Sequence, residues 1–264
     1  ASVDQHELDR LEQSLNSDCN SALGFPDEQS ASTDSLISLW LSDLDRGRED
    51  AANSRISHSV GVAIGRWDIR YATGEQAAPE LPDPFAPLPV CPPGQLQNAQ
   101  GLPARPEDVP AAYPVRIPWD GILVDDPNHP LDIERRVREV IEIIWKHRAE
   151  AIEHEACEIL GVKSLRDYFR KPAGFFADHL KRYSKSRRQA PIYWPLSTAS
   201  GSYTLWIYYH RLTDQTLHTA IADFIGPKLR SVDREISTQR EKPGGGGSKL
   251  AELLEFHGEL LDLK

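Results

Sequence analysis

Apolar residues recur at helical spacing through most of the chain, and one central stretch breaks the pattern. Leu8, Leu11, Leu15 and Ala22 predict an amphipathic helix over 4–22, closed by Gly24 and Pro26. Thr33-Asp34 has the chemistry of an N-cap for a second helix carrying Leu36, Ile37, Leu39, Trp40 and Leu41. A polar stretch rich in Asp and Arg then separates it from Ile56–Gly65. There the small residues Gly61, Ala63 and Gly65 point to a helix packed closely on a neighbour. From Pro130 a long helix is expected to reach Leu160. Its stripe is Ile133, Val137, Ile141, Ile144, Ile152, Ala156 and Ile159, with Asp132 and Glu134 at its N-terminus and Gly161 beyond its end. Short helices follow at Leu165–Phe169 and Ala173–Tyr183, the second with Phe175, Phe176 and Leu180 on one face.

The period then changes. Pro191–Ser197 and Tyr203–His210 are rich in aromatic and β-branched residues, and five residues, Thr198 to Ser202, join them. That is the pattern of a β-hairpin. Thr213-Asp214 caps a further helix with Leu217, Ile221, Phe224 and Ile225, which Gly226-Pro227 is expected to interrupt before a charged stretch to Lys242. Leu250, Leu253, Leu254, Leu260 and Leu261 form a last amphipathic helix. If it folds back antiparallel, Leu250, Leu253, Leu254 and Leu261 should pack on Leu217, Ile221, Phe224 and Val232.

Residues 77–130 hold fourteen of the 20 prolines, so they form neither a helix nor a central strand. They also carry Phe85, Leu88, Val90, Tyr113, Ile117, Trp119, Ile122, Leu123 and Val124, more large apolar residues than disordered chain holds. An ordered wrap along the helices accounts for both. The expected fold is α+β, mainly α: helical layers, a small antiparallel hairpin and a proline-rich wrap. Its parts are an N-terminal helical part (1–76), the wrap (77–130), a basic helix–hairpin part (131–212) and a helical arm (213–264).

Gly244–Ser248 reads GGGGS, the composition of an introduced flexible linker, and Met is absent throughout. The linker is expected to stand in for an excised loop or coiled-coil tip, with a grafted last helix as the competing reading. Cys19, Cys91 and Cys157 are sparse and unpaired in spacing, which suggests reduced thiols and a cytoplasmic protein. No apolar run approaches 18 residues and no signal-peptide pattern precedes Ala1, so no membrane partner is expected.

Charge adds the sharpest signal. The chain carries −10, yet Gly161–Ala190 holds nine Lys/Arg against Asp167 and Asp178. A focused positive segment with interleaved aromatics is what a phosphate-backbone binder presents, whereas solubility charges are interspersed. Catalytic patterns are missing. Ser197-Thr-Ala-Ser-Gly201 is no nucleophile elbow, and His154-Glu155 lacks a second His four residues on. No Gly-rich phosphate loop occurs, the histidines are scattered, and Asp125-Asp126 before Pro127 has the look of a turn. No catalytic or metal site is expected.

The run FFADHLKRYSKSRRQAPIYWPLSTASGSYTLWIYYHR, 175–211, resembles a segment of PglX, the adenine-specific DNA methyltransferase family of the BREX phage-exclusion systems. Val60-Gly-Val-Ala-Ile-Gly-Arg-Trp-Asp68 and Asp167-Tyr-Phe169 are similar too, so the likeness spans roughly 55–264. The family's Asn-Pro-Pro-Tyr motif and Gly-rich S-adenosylmethionine loop do not occur; Pro92-Pro93 is the only Pro-Pro. The resemblance therefore implies a portion C-terminal to a catalytic domain, serving target recognition and assembly. S-adenosylmethionine would belong to the catalytic domain alone.

Duplex DNA is the expected partner. Arg170, Lys171, Lys181, Arg182, Lys185, Arg187 and Arg188 are the candidate phosphate contacts. Tyr193, Tyr203, Trp194 and Trp206 are candidates to stack on a flipped base, with core packing favoured for the two tryptophans. Ser197, Ser200 and Ser202, with Thr198, are small donors at the hairpin tip. Arg211 faces either DNA or Asp214, and Trp67 is expected to cap the helical layer. The alternatives are a helical scaffold docking another defence-system subunit or an acidic phage DNA mimic, and a hydrolase without cofactor. Salt-reversible binding of duplex DNA separates them.

Overall fold

In the computed structural model, residues 33–80, 83, 85, 87, 89–185, 188–242 and 247–264 are described, those of 33–45 and Lys185 by backbone alone. The expected 4–22 helix, Leu88, Arg187 and most of the GGGGS stretch lie outside them. The chain divides into two units, 1–51 and 52–264. The described part of the first unit is helical. The architecture below is that of the second.

Helix α1 is Thr33–Ala63, so the polar stretch does not interrupt it. From Ala52 onward it turns Ala52, Ile56, Val60 and Ala63 into the core. Gly61 lets the Trp67 indole lie on the helix: a Cβ there would stand 2.3 Å from the ring. This supports the structural role expected of Trp67. Asp68 caps the short α2, Ile69–Thr73, accepting from the Arg70 N–H.

The described residues of the wrap are unevenly buried. Phe85 (96% exposed) and Val90 stand in solvent, whereas Val115, Ile117 and all of β1, Ile122–Val124, are buried. Each proline lacks an N–H to give a ladder, and among the described residues the proline-dense first half makes only isolated bridges, such as Gln95 with Trp67.

The expected long helix is two. Helix α3, Ile133–Trp145, is capped by Asp132; a 3₁₀ turn, Lys146–Arg148, bends the chain into α4, Ala149–Ile159. Unbroken, it would run about 40 Å, twice the roughly 18 Å of α1 beyond Ala52. Bending lets both stripes bury on the same face: Ile141, Trp145, Ile152, Ala156 and Ile159 close over Ala52 and Ile56. The bidentate Arg138–Glu153 pair, at 2.8 and 2.6 Å, ties the two helices together.

Helices α5, Leu165–Arg170, and α6, Phe175–Arg182, match expectation, and a small ribbon of β2, Ser184–Lys185, and β3, Arg188–Gln189, follows them. Strands β4, Tyr193–Ser197, and β5, Thr204–Tyr208, form the expected hairpin. Strand β1 adds to β5, giving an antiparallel sheet of order β1-β5-β4 with β5 central and buried throughout. Tyr209 N–H to Ile192 and Thr198 N–H to Tyr203 fix the alternation. Pro195 then falls in a non-bonded pair on an edge strand, where its missing N–H leaves no gap.

The sheet lies between helical layers. Leu123, Trp206, Tyr208 and Tyr193 face α1 and α3–α6; Ile122, Val124, Leu205 and Ile207 face the arm. In the arm, α7, Thr216–Thr219, widens into a π-helical segment, Ala220–Ile225, and continues as α8, Gly226–Glu241. Gly226-Pro227 does not end the helix, because the widened turn absorbs the proline's missing N–H. Helix α9, Ser248–Leu263, returns along α8, with His257 2.9 Å from Asp233. Its packed face is Leu250, Leu253, Phe256, Leu260 and Leu263, while Leu254, Leu261 and Leu217 are exposed. The expected pairing was right in direction and about one residue out in phase. Among the described residues no helix is long and apolar enough to cross a membrane.

Candidate nucleic-acid interface

The basic segment divides by pairing. Arg166 and Arg170, on α5, reach buried carboxylates delivered by the wrap and by the α3 cap, although Arg170 itself stays 38% exposed. Arg166 donates to Asp132 at 2.8 Å, to Glu134 at 2.7 Å and to Asp125; Arg170 donates to Asp125 and to the Ser202 carbonyl at 3.1 Å. Burial works against the Arg166 charge, but the hydrogen bond and charge of Asp132, with Asp125 and Glu134, outweigh it and raise its pKa. Asp126 pairs with Lys228 of α8 at 2.9 Å. Asp126 does form the expected turn, accepting from the Asn128 N–H at 3.2 Å. Yet Asp125, Asp126 and Asp132 are also 1%, 6% and 2% exposed, members of a buried ionic network that sequence reasoning missed. Their partners lie tens of residues away, so no local pattern announces them. Arg170 is therefore first a structural tie.

Arg211 is tied up within the fold and does not pair with Asp214. Its guanidinium donates to the carbonyls of Ile64 (2.8 Å), Pro118 (3.0 Å) and Gly65 (3.0 Å) and lies 4.7 Å over Trp119. It holds the end of α1 to the wrap. Gly65, at φ 77°, supplies the left-handed turn that aims its carbonyl there.

Besides Arg170, the exposed cations among the described residues of the segment are Lys163, ahead of α5, and Lys171, Lys181, Arg182 and Arg188. Lys181 is 81% exposed, its ammonium 3.4 Å from Asp178. Arg182 donates to Asn53 and Ser54, both at 2.9 Å. The ribbon register sets Lys185 opposite Arg188. The side chains of Lys185 and Arg187 lie outside the described residues.

The aromatic candidates separate sharply. Tyr193 (0% exposed) and Tyr203 (1%) are core residues, so stacking on a base is closed to them; burial pushes both phenols up. Trp206 is core as expected, but Trp194, expected there too, is 47% exposed. It shares the arm-facing side of the sheet with Leu205 and Ile207, and the arm covers β1 and β5 while leaving β4 open.

His179 pins α6 to the start of β4. Its Nε2 accepts from the Ile192 N–H at 2.9 Å and the Tyr193 N–H at 3.2 Å. Burial, then the charges of Arg66 and Arg182, lower its pKa to about 4. At the tip, Ser197 and Thr204 hydroxyls lie 2.9 Å apart. Ser200 is engaged by α9: its N–H and hydroxyl donate to the two Glu259 oxygens at 3.0 and 2.5 Å, with the Ser202 hydroxyl 2.8 Å away.

A crevice of about 900 Å³ is lined by Arg138, Glu142, Glu153 and Cys157, and burial pushes the Cys157 thiol up to about 11, away from nucleophilic use. Among the described residues no cluster of His, Cys, Asp and Glu could hold a metal ion.

No protein-family model matches the chain. It is similar to the adenine-specific methyltransferase BrxX of Escherichia coli O9:H4 (strain HS), 26% identical over 225 residues. The match covers 78% of the chain and 17% of that methyltransferase, so the chain spans about a sixth of its relative's length. The chain is thus distantly related to an adenine-specific methyltransferase, in agreement with the resemblance carried by its motifs.

Proposed function

We propose that this chain is the DNA-contacting, non-catalytic portion of an adenine-specific DNA methyltransferase of the phage-exclusion kind, C-terminal to the methyl-transferring domain. The observation that carries the reading is the division of the basic segment. Buried carboxylates of the wrap and the α3 cap neutralise Arg166 and Arg170, while Lys171, Lys181, Arg182 and Arg188 stay exposed on the stretch from the end of α5 to β3. In a chain of −10 that local excess has no need to be there for folding. Solvated cations at a helix end and on a two-stranded ribbon suit phosphate oxygens, and each contact releases condensed counterions.

The test is fluorescence anisotropy with labelled duplex across a salt series. Affinity should fall with salt, and the double variant Lys181→Glu/Arg188→Glu should weaken binding. It should also flatten the salt slope by about two, near 0.9 for each phosphate no longer neutralised. Absence of binding at low salt, or a slope untouched by a folded double variant, overturns the reading. One observation favours a docked protein instead: Trp194 and Leu196 lie exposed on edge strand β4. A protein partner would be released by Trp194→Ala with DNA affinity unchanged.

A further inference from the structure

We infer that the Thr198–Ser202 turn is a phosphate-binding site held shut within the chain by the carboxylate of Glu259. The turn converges an N–H and a hydroxyl from Ser200 on one carboxylate, and the Ser202 hydroxyl stands 2.8 Å from that of Ser200. The Arg170 guanidinium, paired with Asp125, also donates to the Ser202 carbonyl and so holds the turn in place. A carboxylate gripped by a backbone N–H and a hydroxyl stands where two oxygens of a phosphate would sit, because both present paired anionic acceptors to the same donors.

The contact is separable from the docking of α9. That helix is anchored by Leu260, which is fully buried, with Leu250, Leu253, Phe256 and Leu263. Glu259 is therefore not required to hold α9 in place, and an exposed carboxylate–serine contact adds little stability of its own. Position supports a phosphodiester as the natural anion, a point that rests on the DNA-contact reading. Strand β4 has the turn at one end and, four residues before its start, the basic ribbon at the other. Five strand residues span about 17 Å. That length equals about five base-pair steps of rise along a duplex axis at 3.4 Å each. A backbone lying along β4 would meet cations at one end, the serine turn at the other and the exposed Trp194 between them. With Glu259 in place, the second contact is closed.

The experiment compares Glu259→Ala and the nearly isosteric Glu259→Gln with Glu255→Ala, which removes the same charge from an exposed position on the same helix. Circular dichroism and melting verify that each folds. Titration with inorganic phosphate, followed by the amide shifts of Ser200 and Ser202, should saturate in Glu259→Ala and Glu259→Gln, and the added change Ser200→Ala should abolish it. In the salt series with duplex DNA, Glu259→Ala should steepen the slope by about one, the value for one new phosphate contact, while Glu255→Ala leaves it unchanged. Saturation by phosphate without any DNA binding upholds the anion site and overturns the DNA reading. Absence of phosphate-induced shifts in both Glu259 variants, or equal effects of Glu259→Ala and Glu255→Ala, overturns the inference.

Discussion

Protonating His179 should loosen the joint that carries the exposed cations. The ring is 2% exposed, 4.8 Å from the Tyr193 ring and 4.7 Å from Tyr183. Two backbone N–H groups point at Nε2, so that nitrogen must keep its lone pair and the neutral ring carries its proton on Nδ1. A folded pKa of about 4 against the ordinary 6.5 means the unfolded chain binds the proton first as pH falls. Stability is then complete above 6.5 and lost as pH drops toward 4. Linkage with those two values gives a loss of about 2 kcal/mol at pH 5 and about 3 kcal/mol near pH 4. At a urea m-value of about 2 kcal/mol/M, the pH 5 loss shifts the midpoint by about 1 M. Burial lowers His58, His129 and His210 as well, so the parent curve alone does not isolate His179. A difference measurement does. In His179→Gln the amide oxygen can take the Nε2 position and accept from both N–H groups without titrating. The stability difference between parent and variant should therefore move by about 2 kcal/mol in the variant's favour between pH 7 and pH 5. Parallel pH curves for the two proteins would refute the reasoning.

Lys146 sits at φ 52°, ψ −122°, a region that suits glycine. Lys146→Gly should raise stability by about 1 kcal/mol, strain relief of about 1–3 exceeding the entropy glycine adds to the unfolded chain, and Lys146→Ala should show no gain in urea melts. Asp125→Asn deprives Arg166 and Arg170 of a shared buried partner and should lower stability by about 3 kcal/mol in the same assay. Leu260→Ala empties a fully buried site between α8 and α9 and should lower stability by about 2–4 kcal/mol, against less than about 0.5 for the exposed Leu261→Ala; equal effects would refute the phase of α9.

The elements legible in the sequence are those whose signals are local. Asp132 caps α3, Tyr193–Tyr208 alternates around a Ser/Gly turn, and Ser164 starts α5 by accepting from the Asp167 N–H at 3.2 Å. Strand β1 was hidden because three residues after a proline-dense stretch become a strand only by pairing with β5, more than eighty residues on. The bend at Lys146 was hidden for a related reason. The residues around it favour a continuous helix, and the gain from burying both stripes on α1 lies in tertiary contact. Arg211 and Asp125 misled in the same direction, since a charged side chain in a polar neighbourhood reads as exposed until its distant partners are known. In the candidate interface, the cations at the α6 end were legible as charge. Which of them the fold consumes was not.

That distinction bears on how an acidic protein can present a positive surface. Charge summed along Gly161–Ala190 counts Arg166 and Arg170 as equals of Lys181 and Arg188. In the fold, Asp125, Asp132 and Glu134 stand on the first pair, and their positive field is cancelled within a few ångströms. The same ion pairs hold α5 against the end of β1 and the start of α3, and α5 leads directly into α6. The neutralised arginines thus fix the base from which Lys181, Arg182 and the ribbon project, and His179 fixes their far side to β4. Rigidity comes from the buried charges and attraction from the exposed ones. Removing an inner arginine should therefore disturb the fold before it weakens binding, and removing an outer cation should do the reverse.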